Sequence, residues 1–365
     1  MLIKMLKPLL LASLALAPAY AATPCLSATS ACTEWVTLGG GPSRSMIYRT
    51  YSLDVRNDQI TRALVMIHGT NRDADNYYRN ALASAFLANA LEDTVVIAPR
   101  IASRDRSCQD TLAPNEVSYS CGGDSWRSGG TAANNEKLTS FDFIDEVLRK
   151  LARKEIFPNL KHIVVAGHSA GGQFVNRYEM ANQVHETLGV PVSYIVANPS
   201  SYAYPDNTRP TSADWPVTAG PPGYVPAAPT GGGRRGGGGG NAAGAVFRAF
   251  GDGRNCTTYD QWPYGFEHRS GYTARFSDDQ LKKQLASRPT TYLLGEEDIL
   301  PLGGFDGSCP AMAQGPTRLA RGLAFSKFVT EKLGGHPDVV VIPECGHNAR
   351  CMYTDEKALP IAFPK

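Results

Sequence analysis

The stretch that decides the fold is His162-Ile-Val-Val-Ala-Gly167-His168-Ser169-Ala170-Gly171-Gly172-Gln173-Phe174-Val175. An apolar run of strand length leads into a G-x-S-x-G pentapeptide, and a helix is expected from Ala170 to about His185. Ser169 then sits on a sharp strand-to-helix turn with its hydroxyl exposed. Gly167 and Gly171 are required because side chains there would collide in so tight a turn. The helix N-terminus adds positive potential where negative charge would develop on a bound carbonyl oxygen. A bare pentapeptide arises often by chance; one with a strand before it and a helix after it is specific.

Working outward, strands and helices alternate. Ala63–Ile67, Thr94–Ala98, Ser193–Ala197, Thr290–Leu294 and Val339–Ile342 are continuous apolar runs, which suits strands buried on both faces of a sheet. Helical spacing is expected over Asn76–Leu91, Thr139–Lys154 and Thr317–Leu333, the last stopped by Gly334-Gly335. Glu34–Leu38 and Met46–Val55 read as an opening antiparallel pair. Repeated βα units imply an α/β fold, a mostly parallel twisted sheet with helices on both faces. Two loop-rich insertions, 101–135 and 199–288, interrupt the pattern near the expected site. Gly231–Gly240 reads as a flexible surface loop, since it lacks the strand-loop-helix setting of a phosphate cradle.

Met1–Ala21 has Lys4 and Lys7, then an apolar run from Leu9 to Ala17, then Ala19-Tyr20-Ala21. This is the pattern of a signal peptide cut near Ala21, and the apolar run is too short to span a bilayer well. A single domain over 22–365 is expected in the periplasm or outside the cell, with no stable membrane anchor, as a monomer. The chain of 365 residues holds 36 Lys and Arg against 34 Asp and Glu; without Lys4 and Lys7 the balance is 34 to 34. A neutral body has no bulk attraction to nucleic acid or to an anionic membrane. The even set Cys25, Cys32, Cys108, Cys121, Cys256, Cys309, Cys345 and Cys351 suggests disulfides in an oxidising compartment. Short loops favour Cys25–Cys32, Cys108–Cys121 and Cys345–Cys351, leaving Cys256–Cys309, although the sequence does not fix the pairing. A zinc site is disfavoured by the absence of CxxC or His-x3-His spacing.

From about Trp35 to the C-terminus, outside the two insertions, the chain resembles the α/β-hydrolase fold family, in particular its secreted serine esterases, lipases and polyester depolymerases. The resemblance implies an acid after a later strand and a histidine after the last one, in the order Ser, acid, His. Asp298 is the first choice of acid, with Glu296, Glu297 and Asp306 as alternatives. His347 follows the last strand; the other six histidines read as structural, solvated or part of turns. Cys345 and Cys351 flank His347 and are expected to hold its loop. The resemblance also implies an oxyanion hole from the Ala170 amide and that of Thr70 or Gly69; His68-Gly69-Thr70-Asn71 is less glycine-rich than the familiar lipase loop, so both stay open.

The implied activity is carboxylic-ester hydrolysis through Ser169, Asp298 and His347 with an acyl-enzyme intermediate, no cofactor and no metal. His68, His168, Trp126, Tyr202 and Trp262, with Tyr259 and Tyr264, are candidates to line a substrate cleft, which would suit phenolic esters, polyesters or acylated polysaccharides; simple packing of a loop-rich cap accounts for the aromatics equally well. The partner expected is a small-molecule or polymeric ester, with no nucleic acid. An exported serine peptidase with the same three residues is the first rival reading, and a non-catalytic binding protein on this fold the second.

Overall fold

The computed structural model describes residues 23–105, 108–121, 125–211, 245–251 and 255–365. The expected signal peptide and the Gly231–Gly240 loop lie outside the described residues. The main sheet has eight strands: β1 (Thr33–Thr37), β2 (Arg44–Arg49), β3 (Arg62–Ile67), β4 (Thr94–Pro99), β5 (His162–His168), β6 (Val192–Ala197), β9 (Thr290–Gly295) and β10 (Asp338–Ile342). Their spatial order is β1-β2-β4-β3-β5-β6-β9-β10. The β1–β2 and β2–β4 pairs are antiparallel, and every pair from β4 to β10 is parallel.

The strands alternate between two faces. Ala63, Val65 and Ile67 of β3 join one apolar cluster, with residues of α2 (Ser140–Leu151), α3 (Ala170–Ala181), α4 (Asp278–Ser287) and α6 (Arg318–Leu333). Leu64 and Met66 join the other, with residues of α1 (Ala74–Leu87), α7 (Ala349–Thr354) and α8 (Leu359–Ala362). A side chain period of two therefore gives both layers a buried surface, and each fully buried Val or Leu contributes about 1.5–3 kcal/mol. Among the described residues, no helix is long and apolar enough to cross a membrane.

Several boundaries differ from expectation. β2 stops at Arg49 rather than Val55, because the chain turns so that Leu53 N–H bonds the Glu34 carboxylate. α2 starts one residue late, with Thr139 and Asp142 forming a reciprocal capping box. α3 ends at Ala181, not His185: Asn182 takes an extended backbone, and its side-chain amide bonds the Tyr178 carbonyl. The 199–288 stretch is not uniformly irregular. It carries a two-stranded sheet, β7 (Thr208–Thr211) with β8 (Val246–Ala249), and ends in α4. α4 buries only Leu281 and Leu285, so its sequence gives little periodic signal, yet it is packed against α3 and α6 as the crossover from β6 to β9. The short α5 (Cys309–Met312) precedes α6.

Disulfides join Cys25 to Cys32, Cys108 to Cys121, Cys256 to Cys309 and Cys345 to Cys351, with Cα separations of 5.5, 5.7, 5.8 and 5.9 Å. These separations lie within the normal span of the bond. The Cys256 bridge ties the described part of the insertion to α5.

Candidate active site

Strand register brings the site together. Ile67 of β3 lies beside Gly167 of β5, so the loop after β3 emerges next to Ser169. Gly295 of β9 lies beside Ile342 of β10, so the loops holding Asp298 and His347 leave the same sheet edge together. Asn198, just after β6, couples these loops: its side-chain Oδ1 accepts from Gly295 N–H at 2.8 Å and its Nδ2 donates to Gly346 O at 3.4 Å.

Ser169 has φ 59° and ψ −119°, a conformation that costs a non-glycine residue on the order of 1–3 kcal/mol. β5 and α3 hold it there. A Cβ on Gly167 would stand 2.3 Å from Gly171 O, and one on Gly171 would stand 2.2 Å from Ile67 O. Backbone approaches of this closeness admit only glycine, which is the collision anticipated for the pentapeptide.

Ser169 Oγ is 2.9 Å from His347 Nε2, and His347 Nδ1 is 2.7 Å from Asp298 Oδ2. The hydroxyl, ring and carboxylate thus form one continuous hydrogen-bonded chain. Asp298 is 2% exposed, and the Arg318 guanidinium, itself fully buried, bonds its other oxygen at 3.2 Å. Arg318 also donates to Ser200 Oγ at 2.6 Å and to Gly303 O at 3.0 Å. Burial pushes the Arg318 guanidinium below its usual range, and the neighbouring Asp298 charge opposes that. The alternative acids stand elsewhere. Glu296 accepts from Glu344 N–H, Asp306 accepts from the Tyr264 hydroxyl, and Glu297 is exposed.

Ala170 opens α3, and the first amides of a helix have no partner within it. Thr70, Gly69 and Ser169 line one cleft of about 540 Å³, together with His168, His347 and Gly303. The rest of its described wall is mostly polar, with Asn71, Asp73, Asn76, Asn80, Asn348 and Arg350 beside Tyr77, Gly304 and Ala349.

Of the five proposed lining residues, the structure places only His168 on this cleft. Trp126 is 3% exposed and packs on His68 and Phe174. Tyr202 is fully buried, stacked on Phe325. Trp262 packs edge-on to Phe266. Trp126 and Tyr202 are thus core residues, while Trp262 is half-buried against the core. His68 is fully buried beneath the cleft loop; Ile101 N–H donates to its Nε2, so Nδ1 carries the proton and bonds Gly69 O at 2.9 Å. Burial lowers the His68 pKa to about 4, so the ring is neutral at pH 7.

Sequence reasoning missed Arg318, Asn198 and Ser200. A lone arginine at the start of a helix carries no signal of its own; only the Thr317 cap before it marked a helix start. Asn198 and Ser200 lay at the edge of a stretch read as insertion. Among the described residues, no cluster of His, Cys, Asp or Glu could hold a metal ion.

The fold agrees with comparisons to known proteins. Poly(aspartic acid) hydrolase-1 from Sphingomonas sp. KT-1 superposes with a TM-score of 0.56 at 18% identity, covering 91% of this chain and 98% of that one. A poly(3-hydroxybutyrate) depolymerase from Bordetella parapertussis superposes with a TM-score of 0.54 at 19% identity, covering 88% and 89%. No curated protein matches the chain in sequence. Residues 64–359 match the sequence profile of the alpha/beta hydrolase family, and with most of its length so matched this chain belongs to that family.

Proposed function

We propose that this protein is an exported serine hydrolase of carboxylic esters. The observation that carries the reading is the unbroken chain from Asp298 through His347 to Ser169, placed on a strained turn at the head of α3. In the first step His347 Nε2 takes the Ser169 proton as Oγ attacks the ester carbonyl carbon, and the carbonyl π pair moves onto oxygen. Asp298 holds the ring through Nδ1 and stabilises its positive form. Collapse of the tetrahedral adduct expels the alcohol, which takes the proton from His347. Water, deprotonated by the same ring, then releases the acid. Backbone amides at Thr70 and Ala170 stabilise the oxyanion, each contributing about 10²–10³ in rate by analogy with measured holes.

The four disulfides support an oxidising compartment, and Met1–Ala21 supports export by a cleaved signal peptide. The polar cleft wall favours esters with hydrogen-bonding groups beside the scissile bond over long alkyl or aryl esters. A neutral mature chain suits substrates found by cleft shape rather than by charge.

The test is labelling with a fluorophosphonate probe alongside hydrolysis of p-nitrophenyl acetate. The wild type is expected to do both, and Ser169→Ala to lose both, with kcat falling about 10⁶-fold. Absence of labelling in the wild type would refute the enzyme reading. Faster turnover of peptide amides than of matched esters would move it to the peptidase class.

A further inference from the structure

An ester is cut into an acyl half and an alcohol half, and the alcohol half departs beside His347. Its oxygen takes the proton from His347 Nε2, so it lies within hydrogen-bond reach of that ring. The described cleft residues that adjoin His347 are Gly303, whose Cβ would stand 3.1 Å from His347 Cδ2, and Asn348, Ala349 and Arg350, which follow it in the chain. Gly303 presents no side chain and leaves room beside the ring. The groups that can touch a departing alcohol there belong to the other three residues.

Those groups are chemically one-sided. Asn348 caps α7: its side-chain oxygen accepts from Cys351 N–H at 3.1 Å. With the oxygen committed, the end left to the cleft is the NH2 group, which donates and cannot accept. Arg350, exposed on the first turn of α7, makes no side-chain hydrogen bond or ion pair with any described residue. A guanidinium stays charged at every working pH, and its planar fork of N–H groups matches a carboxylate. Both residues sit in the short loop closed by Cys345–Cys351, so the backbone holds them in fixed relation to His347. Asp73 is the one carboxylate among the described lining residues, and it does not answer this charge: its Oδ2 accepts instead from Asn76 Nδ2 at 3.1 Å.

We infer that Asn348 and Arg350 form a carboxylate subsite for the leaving group, so that the favoured substrates are esters whose alcohol half is a hydroxy acid with a free carboxyl end. This rests on the acyl-transfer reading above and names the substrate class for it. Ser169 Oγ bonds the acyl carbon, the bond from that carbon to the hydroxy-acid oxygen breaks, and that oxygen takes the proton from His347. The hydroxy acid leaves with its own carboxylate unchanged, and water then hydrolyses the acyl-enzyme. On an oligomer of hydroxy acids, the subsite selects the last ester bond before the free carboxyl end, which removes one unit at a time. The contact is local. A chain balanced in charge exerts no long-range pull, and Arg350 acts once the substrate is in the cleft. Because the carboxylate does not react, it is held alike before and during the reaction, and the gain falls on KM rather than kcat.

The test compares 3-acetoxybutyrate with 3-acetoxybutyramide, which share the ester bond, the acyl group and the shape, and differ in charge. Acetate release by the wild type at low salt is expected to favour the carboxylate by about 10-fold in kcat/KM, carried by KM, as suits a charged hydrogen bond at an exposed site. The preference is expected to shrink towards parity near about 1 M NaCl, where charges are screened within about 3 Å. Arg350→Gln is expected to abolish it and Arg350→Glu to reverse it. Each figure is a ratio within one protein, so a general loss of activity or of folded fraction cancels. Monoethyl succinate against ethyl succinamate places the carboxylate on the acyl half instead, and no preference that depends on Arg350 is expected there. No preference in the wild type, an unchanged preference in Arg350→Gln, or an Arg350-dependent preference for monoethyl succinate alone overturns the inference. If the wild type neither reacts with a fluorophosphonate nor releases acetate from either ester, it is the serine-hydrolase reading that fails.

Discussion

Replacing Arg318 by Met tests how far the proposed acid depends on a buried counter-charge. The guanidinium is fully buried and makes three contacts at once: Asp298 Oδ1, Ser200 Oγ and Gly303 O. Methionine fills most of the volume but supplies no donor. Asp298 then faces a choice between two states. It remains ionised without its ion-pair partner in a site 2% exposed, or it takes up a proton. Breaking a buried pair by removing one member costs about 3–5 kcal/mol. At 2–4 °C per kcal/mol for a large domain, that lowers Tm by roughly 6–20 °C. The catalytic consequence follows from the second state. A protonated Asp298 no longer stabilises positive charge on His347, and removal of a triad carboxylate elsewhere lowers kcat about 10⁴-fold. Partial retention of the carboxylate places the expected loss between about 10² and 10⁴. The assay is kcat on p-nitrophenyl acetate, normalised to sites counted by fluorophosphonate labelling and run well below the variant's Tm. Arg318→Lys, which restores charge but not the three-way fork, is expected to recover part of the rate. If Arg318→Met keeps wild-type kcat per labelled site and its Tm shifts no more than a surface substitution would, the ion pair does not hold the acid and the reasoning is wrong.

Further outcomes follow from other parts of the molecule. Glu179 is fully buried among Thr290, Asn176, Tyr292 and Arg288, and burial raises its pKa to about 8. Its folded pKa lies above its unfolded one, so the folded state holds the extra proton and stability falls as pH rises through the window from about 4.5 to 8. Above pH 6.5 the raised carboxyl of Asp145, at about 6, has already ionised, so urea unfolding between pH 6.5 and 8 should show a loss of about 2 kcal/mol that Glu179→Gln abolishes; an equal slope in both proteins argues against it. Opening the Cys345–Cys351 bridge by serine substitution frees a loop of sequence separation 6, which by chain entropy is worth only about 2 kcal/mol. Its effect on kcat is expected to exceed its effect on Tm, because His347 lies inside that loop; full activity of the pair of substitutions would show that Asn198 and Asp298 hold the ring alone. Asn76→Leu with Asn80→Leu, on the cleft face of α1, is expected to raise KM for esters with hydroxylated or amide-bearing flanks relative to alkyl esters, and an unchanged KM ratio would place those groups elsewhere.

The sequence alone was sufficient for the features that depend on local chemistry. Five apolar strand runs, each followed by a turn, required a sheet buried on both faces, and the two glycines around Ser169 required a turn that no side chain permits. Asp298 and His347 were nominated by the family resemblance, which sets the order Ser, acid, His and places the last two after later strands, whose following loops a parallel sheet delivers to one edge. Element ends were less legible where tertiary contacts decide them: Asn182 ends α3 by capping Tyr178, and α4 forms against α3 and α6 despite a weak pattern of its own. Tertiary structure alone decided what surrounds Ser169, His347 and Asp298. Whether an aromatic ring packs inward or faces a cleft depends on what lies opposite it, which is why Trp126 and Tyr202 turned out to be core and the described cleft wall to be asparagine-rich. Arg318 stands 20 residues in sequence from Asp298, the partner that gives it meaning. Its role comes from burial and hydrogen-bond geometry set by distant segments, and residue type and spacing carry no record of either.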